Sequence, residues 1–539
     1  MTTRQAVGRS APSPDGREKV TGAARYTADA SPRGVLHGRV LRSPHPHARI
    51  RGIDASVAAE LPGVHAVVTG AELAGTMSGR RILDMPVLAS EVVRFVGEPV
   101  AAVAAVDQET ADRALALIVV DYEPLPAVFD VREAIEPGAL LLHPRFNDYA
   151  GVKPQEQPSN LFVTSTWGQG DPEAAAGAAE LVIEGTYTTP VVHQAYMETH
   201  SCLVEAAADG GMEVWASNKA PHYVRKQVAD STGVPEPMVR IHHVAIGGDF
   251  GGKGSPMNIP LCYFLAKAAG RPVQMVMDYA EELTAANPRH PAEVRVTTSV
   301  KRDGTIVTCD IEGYFNTGAY AAFVPLGFLP GPRHAVGPYR IPDARVRAYH
   351  VYTNKVPAGH MRGPGEPQAI FAMESHIDVI ARTLGLDPAE VRLRNVIREG
   401  EANALGELYH DLHGAETIEA ALEASGYHAP PPAPDGAVRY GRGVAIGERA
   451  PGGGQTHAAV TFRPDGRVVV HTSIFDQGSG TYTTIRQMAA DVLGMSPERI
   501  DVEVWDTPET GFDSGAGASR NSRMASEAVH EAASAARGA

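Results

Sequence analysis

The 539 residues carry 48 Lys and Arg against 63 Asp and Glu, a net charge of −15, with 43% hydrophobic and 21% charged residues. This is ordinary globular composition for about three or four domains, and the 55 Gly and 41 Pro form no Gly/Pro repeat, which excludes collagen-like and disordered chains. An acidic chain with no Lys/Arg-rich run lacks the basic face that grips phosphate backbones, so no nucleic-acid partner is expected. Cys202, Cys262 and Cys309 are too few and too scattered for a disulfide framework, a four-thiolate zinc site or an iron–sulfur cluster, and they fit a reducing, cytoplasmic setting. No apolar run reaches about 18 residues, so no membrane span is expected, and the opening MTTRQAVGRSAPSPDGREKV lacks the apolar core of a signal peptide.

In chain order, residues 92–96 and 100–106 read as strands, 109–117 as a helix and 117–123 (LIVVDYE) as a buried strand. They suggest a small α/β domain over 1–135, followed by a polar, Pro-rich linker at 136–159. The block 160–426 mixes strands (181–188, 238–245, 272–277) with helices (222–230, 258–268) and a hairpin over 293–313. Residues 366–384 form an amphipathic helix, with Ile370, Met373, Ile377, Ile380, Ala381 and Leu384 on the 3.6-residue period. Gly385 ends it, and Asp387-Pro388 starts the next helix. A second Pro-rich joint opens the last block, 427–539, whose segment 487–505 (QMAADVLGMSPERIDVEVW) repeats the pattern of 227–245 (QVADSTGVPEPMVRIHHVA). Such a recurrence is either the common αβ unit or a sign of two related domains facing each other across a ligand.

Four segments expose backbone. In GGDFGGKG (247–254), glycines after a strand bring the main chain close to an anion or form a tight turn; Gly254 stands where a phosphate-binding loop needs Ser or Thr, so an ATPase or GTPase is rejected. In GHMRGPGEPQ (359–368), Arg362 is placed to bind a phosphate or polar ring, or to cap a helix. DQGSGT (476–481) sits at a strand-to-helix junction where Ser479 or Thr481 caps the helix and free N–H groups favour an anion. GAGASRNS (515–522) precedes a helix over 524–536. No G-x-G-x-x-G follows a strand, which leaves a nicotinamide fold without support, and there is no G-x-S-x-G elbow. His193, Glu198 and His200 read as the polar lining of a cleft or a metal site, and His45/His47 and His242/His243 as surface or local structure. Taken together, the loops describe a long ligand with several anionic or polar groups.

These motifs, in this order, resemble the molybdenum-binding large subunit of the xanthine oxidase and aldehyde oxidase family. KVTGAAR (19–25), RSPHPHARI (42–50), VGEPVAAV (96–103), GGDFGGKG, MRGPGEPQ, ESHIDVIARTLGLDP (374–388), RLRNVI (392–397), DQGSGT and GAGASR cover essentially the whole chain. The resemblance implies a mixed α/β fold: an N-terminal α/β hammerhead domain, then two related molybdopterin-binding α+β domains, the last one incomplete. It implies a molybdopterin cofactor, in bacteria often with a cytosine dinucleotide, whose dithiolene rather than the protein ligates the metal. Phe250 and Gly251 would then lie beside the molybdenum, Gly248 and Gly252 would bind the cofactor, Arg362 would contact it, and Gln477, Gly478, Ala518, Ser519 and Arg520 would hold the pterin and its phosphate tail. The implied reaction hydroxylates an electron-poor carbon of an aldehyde or N-heterocycle with a glutamate base. Its electrons leave through 2Fe-2S and FAD subunits, since this chain has no cysteines or nucleotide motif for those carriers.

Three departures stand out. The family's Gly-x-Gly-Glu motif, expected about a domain beyond GAGASR, does not occur before Ala539, which suggests a second chain completing the subunit or an inactive cofactor-binding fragment. Lys219 stands where the family has the Gln that hydrogen-bonds the molybdenum oxo group, and is the candidate catalytic residue here. Gly254 and Pro330 replace the purine-holding Glu and Arg, which disfavours xanthine as substrate, and no Cys precedes Gly363, which disfavours carbon monoxide dehydrogenation.

Overall fold

A computed structural model describes residues 6–430, 433, 435–449 and 451–538. The N-terminal block holds β1 (Leu36–Arg42), β2 (Val64–Thr69), β3 (Pro99–Ala105) and α1 (Gln108–Leu115). Asp107 caps α1 by accepting the Thr110 N–H at 2.7 Å. The strand expected at 92–96 shrinks to Val92–Val93, because the Glu98 carboxylate takes the Arg94 N–H and turns the chain. The strand expected at 117–123 begins at Val119, since Leu117 and Ile118 still bond back to the end of α1; with Val119 66% exposed, it is a surface strand, not a buried one. The stretch 136–159 packs down: Leu142 and Phe146 are buried with Phe162 and Tyr352.

The next block contains β4 (Leu161–Gln169), β5 (Leu181–Thr189), β6 (Ser201–Ala206), β7 (Met212–Ala216), α2 (Pro221–Thr232), β8 (Val239–His242), α3 (Ile259–Ala269) and β9 (Val273–Val276). It continues with β10 (Ala292–Val300), β11 (Ile306–Gly318), β12 (Asp343–Tyr352), α4 (Glu366–Leu384) and α5 (Pro388–Asn395). The last block holds β13 (Ala458–Phe462), β14 (Val468–Thr472), α6 (Thr481–Leu493), β15 (Ile500–Val504) and α7 (Asn521–Gly538).

One sheet joins the first two blocks. Its order is β8-β7-β6-β9-β1-β3-β2, with β1 and β9 parallel at Leu36↔Val273. Its core runs from Leu36 and Val40 through Val204 and Val214 to Leu265 on α3. A five-stranded sheet, β5-β10-β11-β12-β4, is covered by α4, whose Ala369, Met373, Ile377 and Ile380 pack on Val294, Val296 and Ile311.

The recurrence within the sequence is a structural repeat. An antiparallel hairpin (β6/β7), a helix (α2) and a parallel strand (β8) recur as β13/β14, α6 and β15. Both helices end on a left-handed glycine, Gly233 and Gly494, followed by a short 3-10 turn. A serine after each central strand accepts a backbone N–H from the first strand's start: Ser217 from Ser201 and Ser473 from His457. In both halves a Gly-rich loop then follows.

Candidate active site

Those two loops are folded by the same device. The buried Asp249 carboxylate accepts N–H groups from Gly251 (2.7 Å) and Lys253 (2.6 Å), and the buried Asp513 accepts that of Gly515 (2.6 Å). A carboxylate under successive N–H groups curls the chain and turns the next residues outward. Phe250 is thereby left-handed (φ 49°) and 48% exposed, while Ala518 (φ 49°) and Ser519 (φ 57°) are left-handed and exposed. Non-glycine residues hold this conformation only where surrounding structure imposes it, a recurrent feature of ligand-binding loops.

The loops meet at residue 219. The Lys219 ammonium is 2.5 Å from Asp249, and its carbonyl accepts the Ala516 N–H at 3.0 Å. A Cβ on Gly517 would lie 3.9 Å from Lys219 Nζ, one on Gly254 3.7 Å from Cε, and one on Gly515 2.8 Å from the Lys219 carbonyl. A third segment closes on the first: the Arg362 N–H donates to the Phe250 carbonyl at 2.5 Å, and a Cβ on Gly251 would press on the His360 carbonyl at 2.8 Å. Arg289 fixes this segment from beneath, donating to the carbonyls of Arg362 (2.6 Å) and Gly363 (2.9 Å). The Arg362 guanidinium is left exposed and bonds to no described residue.

Several expected site residues also have a role in packing the loops. Gly248 and Gly252 are glycines for packing, because a Cβ would meet Tyr196 at 3.1 and 2.9 Å. Arg520 is 2% exposed and turned inward, its guanidinium donating to the carbonyls of Gly453, Gln455 and Gly515. This side chain braces the 515–519 loop. At the start of α6 the expected hydroxyl cap is replaced by Asp476, which accepts N–H groups from Gly478 and Thr481 and the Thr481 hydroxyl. That helix terminus already holds its own anion. Gln477 stays available, with its Oε1 buried and unpartnered.

His200 lines a small cavity with Asn218 and Ser255, and both His193 and His200 turn to one carboxylate. With the Tyr196 hydroxyl (2.7 Å) they surround the buried Glu282 beneath the 247–254 loop. Burial alone would raise the Glu282 pKa, but the charge and hydrogen bonds of His200 and His193 outweigh it and hold the carboxyl well below the usual carboxylate range. His242 and His243 bind the two halves together: the Asp506 carboxylate accepts the His243 N–H and lies 2.9 Å from His242 Nδ1 and 2.8 Å from Arg240. Sequence reasoning missed Arg80, which reaches from the N-terminal block to within 3.0 Å of where a Gly254 Cβ would stand. No local pattern marks it.

Exposed left-handed backbone, an unpartnered Gln477 oxygen and an unpaired guanidinium at Arg362 suit an extended, polar, anionic cofactor. Comparison with known proteins decides which. Residues 21–126 match the a/b hammerhead domain of aldehyde oxidase and xanthine dehydrogenase, and 152–396 and 419–539 each match a molybdopterin cofactor-binding domain. The xanthine dehydrogenase molybdenum-binding subunit of Escherichia coli O157:H7 is 31% identical over 96% of this chain and 70% of its own length. The chain belongs to the xanthine dehydrogenase and aldehyde oxidase family of molybdopterin-binding large subunits. Within this family the nicotine 6-hydroxylase large subunit of Paenarthrobacter nicotinovorans is 32% identical over 98% of the chain and 68% of its own length. The quinoline 2-oxidoreductase structure from Pseudomonas putida 86 superposes with a TM-score of 0.87 at 28% identity, covering 99% of this chain and 71% of that one. These relatives are molybdopterin-dependent dehydrogenases and oxidoreductases, and several are named as subunits of larger complexes.

Proposed function

We propose that this chain is the cofactor-binding subunit of a molybdenum hydroxylase that oxidises aldehydes or N-heterocycles with water as oxygen source. The observation that carries this reading is the meeting of two loops, around Phe250 and Ala518, at Lys219, with the Arg362 loop closing on Phe250. In this reading Phe250, Gly251, Arg362, Gln477, Gly478, Ala518 and Ser519 hold the cofactor by exposed main chain and a few side chains, and the cofactor, in its cytosine dinucleotide form, supplies the two-electron redox chemistry. Lys219 is held by Asp249 and presents a donor where the family has a neutral amide. Electrons leave to cytoplasmic iron–sulfur and FAD subunits, consistent with three cysteines that are all buried and free. The domain limits proposed are 1–135, 160–426 and 427–539, with 136–159 between them.

Expression with molybdenum-cofactor maturation factors and the neighbouring subunits tests this. The purified complex is expected to hold about one molybdenum and one pterin per chain and to place oxygen from labelled water into an aldehyde or N-heterocycle product. A complex free of molybdenum and pterin sinks the proposal.

A further inference from the structure

Arg80 stands between the short strands Met77–Ser78 and Met85–Pro86, with its N–H donating to the Ala322 carbonyl at 2.8 Å. Its side chain crosses to the 247–254 loop. Nη1 lies 3.0 Å, and Lys219 Cε 3.7 Å, from the place a Cβ on Gly254 would occupy. The missing side chain at 254 gives the guanidinium its room.

The cations around this gap differ in how they are paired. Lys219 has Asp249, and Arg449 has Glu366 at 2.9 Å. The Arg80 guanidinium makes no hydrogen bond or ion pair with any described residue. Burial brings its pKa down to about 10, against the nearby Tyr223 and Asp249, so it stays charged at neutral pH. His360 Nε2 is shut off from solvent and unpartnered in the same region, and burial together with the charges of Arg80, Lys219 and Arg449 keeps that ring neutral. A partly desolvated, unpaired guanidinium is unfavourable alone and favourable once an anion arrives. Its planar fork matches the two oxygens of a carboxylate.

We infer that Arg80 is a specificity-determining residue that binds a carboxylate on the substrate, so that this enzyme takes anionic N-heterocycles or aldehydes. The inference rests on the molybdenum hydroxylase reading. A phosphate of the cofactor has the same oxyanion chemistry, and the experiment separates the two.

The holoenzyme with its partner subunits is compared as wild type, Arg80→Met and Arg80→Lys. Substrates are matched pairs, a pyridine carboxylate against its carboxamide and carboxybenzaldehyde against benzaldehyde; benzoate is the non-reacting probe for calorimetry. Wild type is expected to prefer the charged member of each pair. Arg80→Met is expected to keep its molybdenum and pterin. It should lose about 10- to 100-fold in kcat/KM for carboxylates, mainly through KM, and change little for neutral partners. Benzoate affinity should fall in parallel, and Arg80→Lys should lie between. Gly254→Ala, whose Cβ pushes the guanidinium aside, should shift the same preference if Arg80→Met fails to fold. A wild type that favours neutral substrates, or equal losses on both members, overturns the inference. Loss of pterin and molybdenum from Arg80→Met alone assigns the anion to the cofactor and also overturns it. A wild type with no molybdenum or pterin refutes the underlying functional reading instead.

Discussion

Asp249 carries three demands at once: two loop N–H groups and the Lys219 ammonium. With side chains only 1% and 13% exposed, the pair is largely out of water, where removing one partner costs far more than removing both. Asp249→Asn is expected to destabilise the chain by about 3 kcal/mol in urea unfolding. Adding Lys219→Gln should recover part of that loss, and a double-mutant cycle that comes out additive would show the pair to be uncoupled. Gly515 is as exacting. At φ 73°, with a Cβ that would sit 2.8 Å from the Ala220 Cα and the Lys219 carbonyl, Gly515→Ala should cost about 2 kcal/mol or more and lower the molybdenum retained per chain, read by elemental analysis.

Between elements, the end of β8 and the loop after β15 are latched through Asp506. Burial works against the charged form of His242, but hydrogen bonds to Asp506 and Glu213 outweigh it and raise its pKa. A raised folded pKa gives stability that is fully present below the unfolded value of about 6.5 and is lost as pH rises through the folded value. The melting temperature is therefore expected to fall as pH rises from about 6 through the upper end of that window, and His242→Gln should flatten this slope. A variant with an unchanged slope would mean the latch does not titrate in this range. The repeat explains why the latch is there: two copies of one hairpin–helix–strand unit face each other, and their Asp-anchored loops arrive at the same place.

For the whole molecule, the decisive contact is the parallel pairing of β1 with β9, which makes one sheet from residues far apart in sequence. Gly38 sits in that pairing, where a Cβ would come within 2.6 Å of the Met275 side chain. Gly38→Val is expected to cost about 3 kcal/mol, and calorimetry should show 1–135 unfolding together with the following block in one transition. A separate early transition for the N-terminal block would contradict this. Expressed alone, 1–135 would present β1 as a bare edge and is expected to aggregate.

The helix α4 spans the residues that the 3.6-residue period predicts, because its apolar stripe is a local pattern with glycine and proline at its ends. The hairpins and the Gly-rich loops were legible for the same reason: left-handed backbone demands particular residues nearby in the chain. Family membership was legible too, since the motifs lie in one order along the chain. The orientation of Arg520, the reach of Arg80 to Gly254, the Asp506 latch and the sheet across the expected domain boundary were not. Each depends on a partner tens to hundreds of residues away, and a sequence records residue types, not which distant groups burial will force to share a charge, a hydrogen bond or a strand edge. The sequence alone determined the local conformations and the chemistry available to this protein; tertiary structure decided which charges are paired and which are left free to bind.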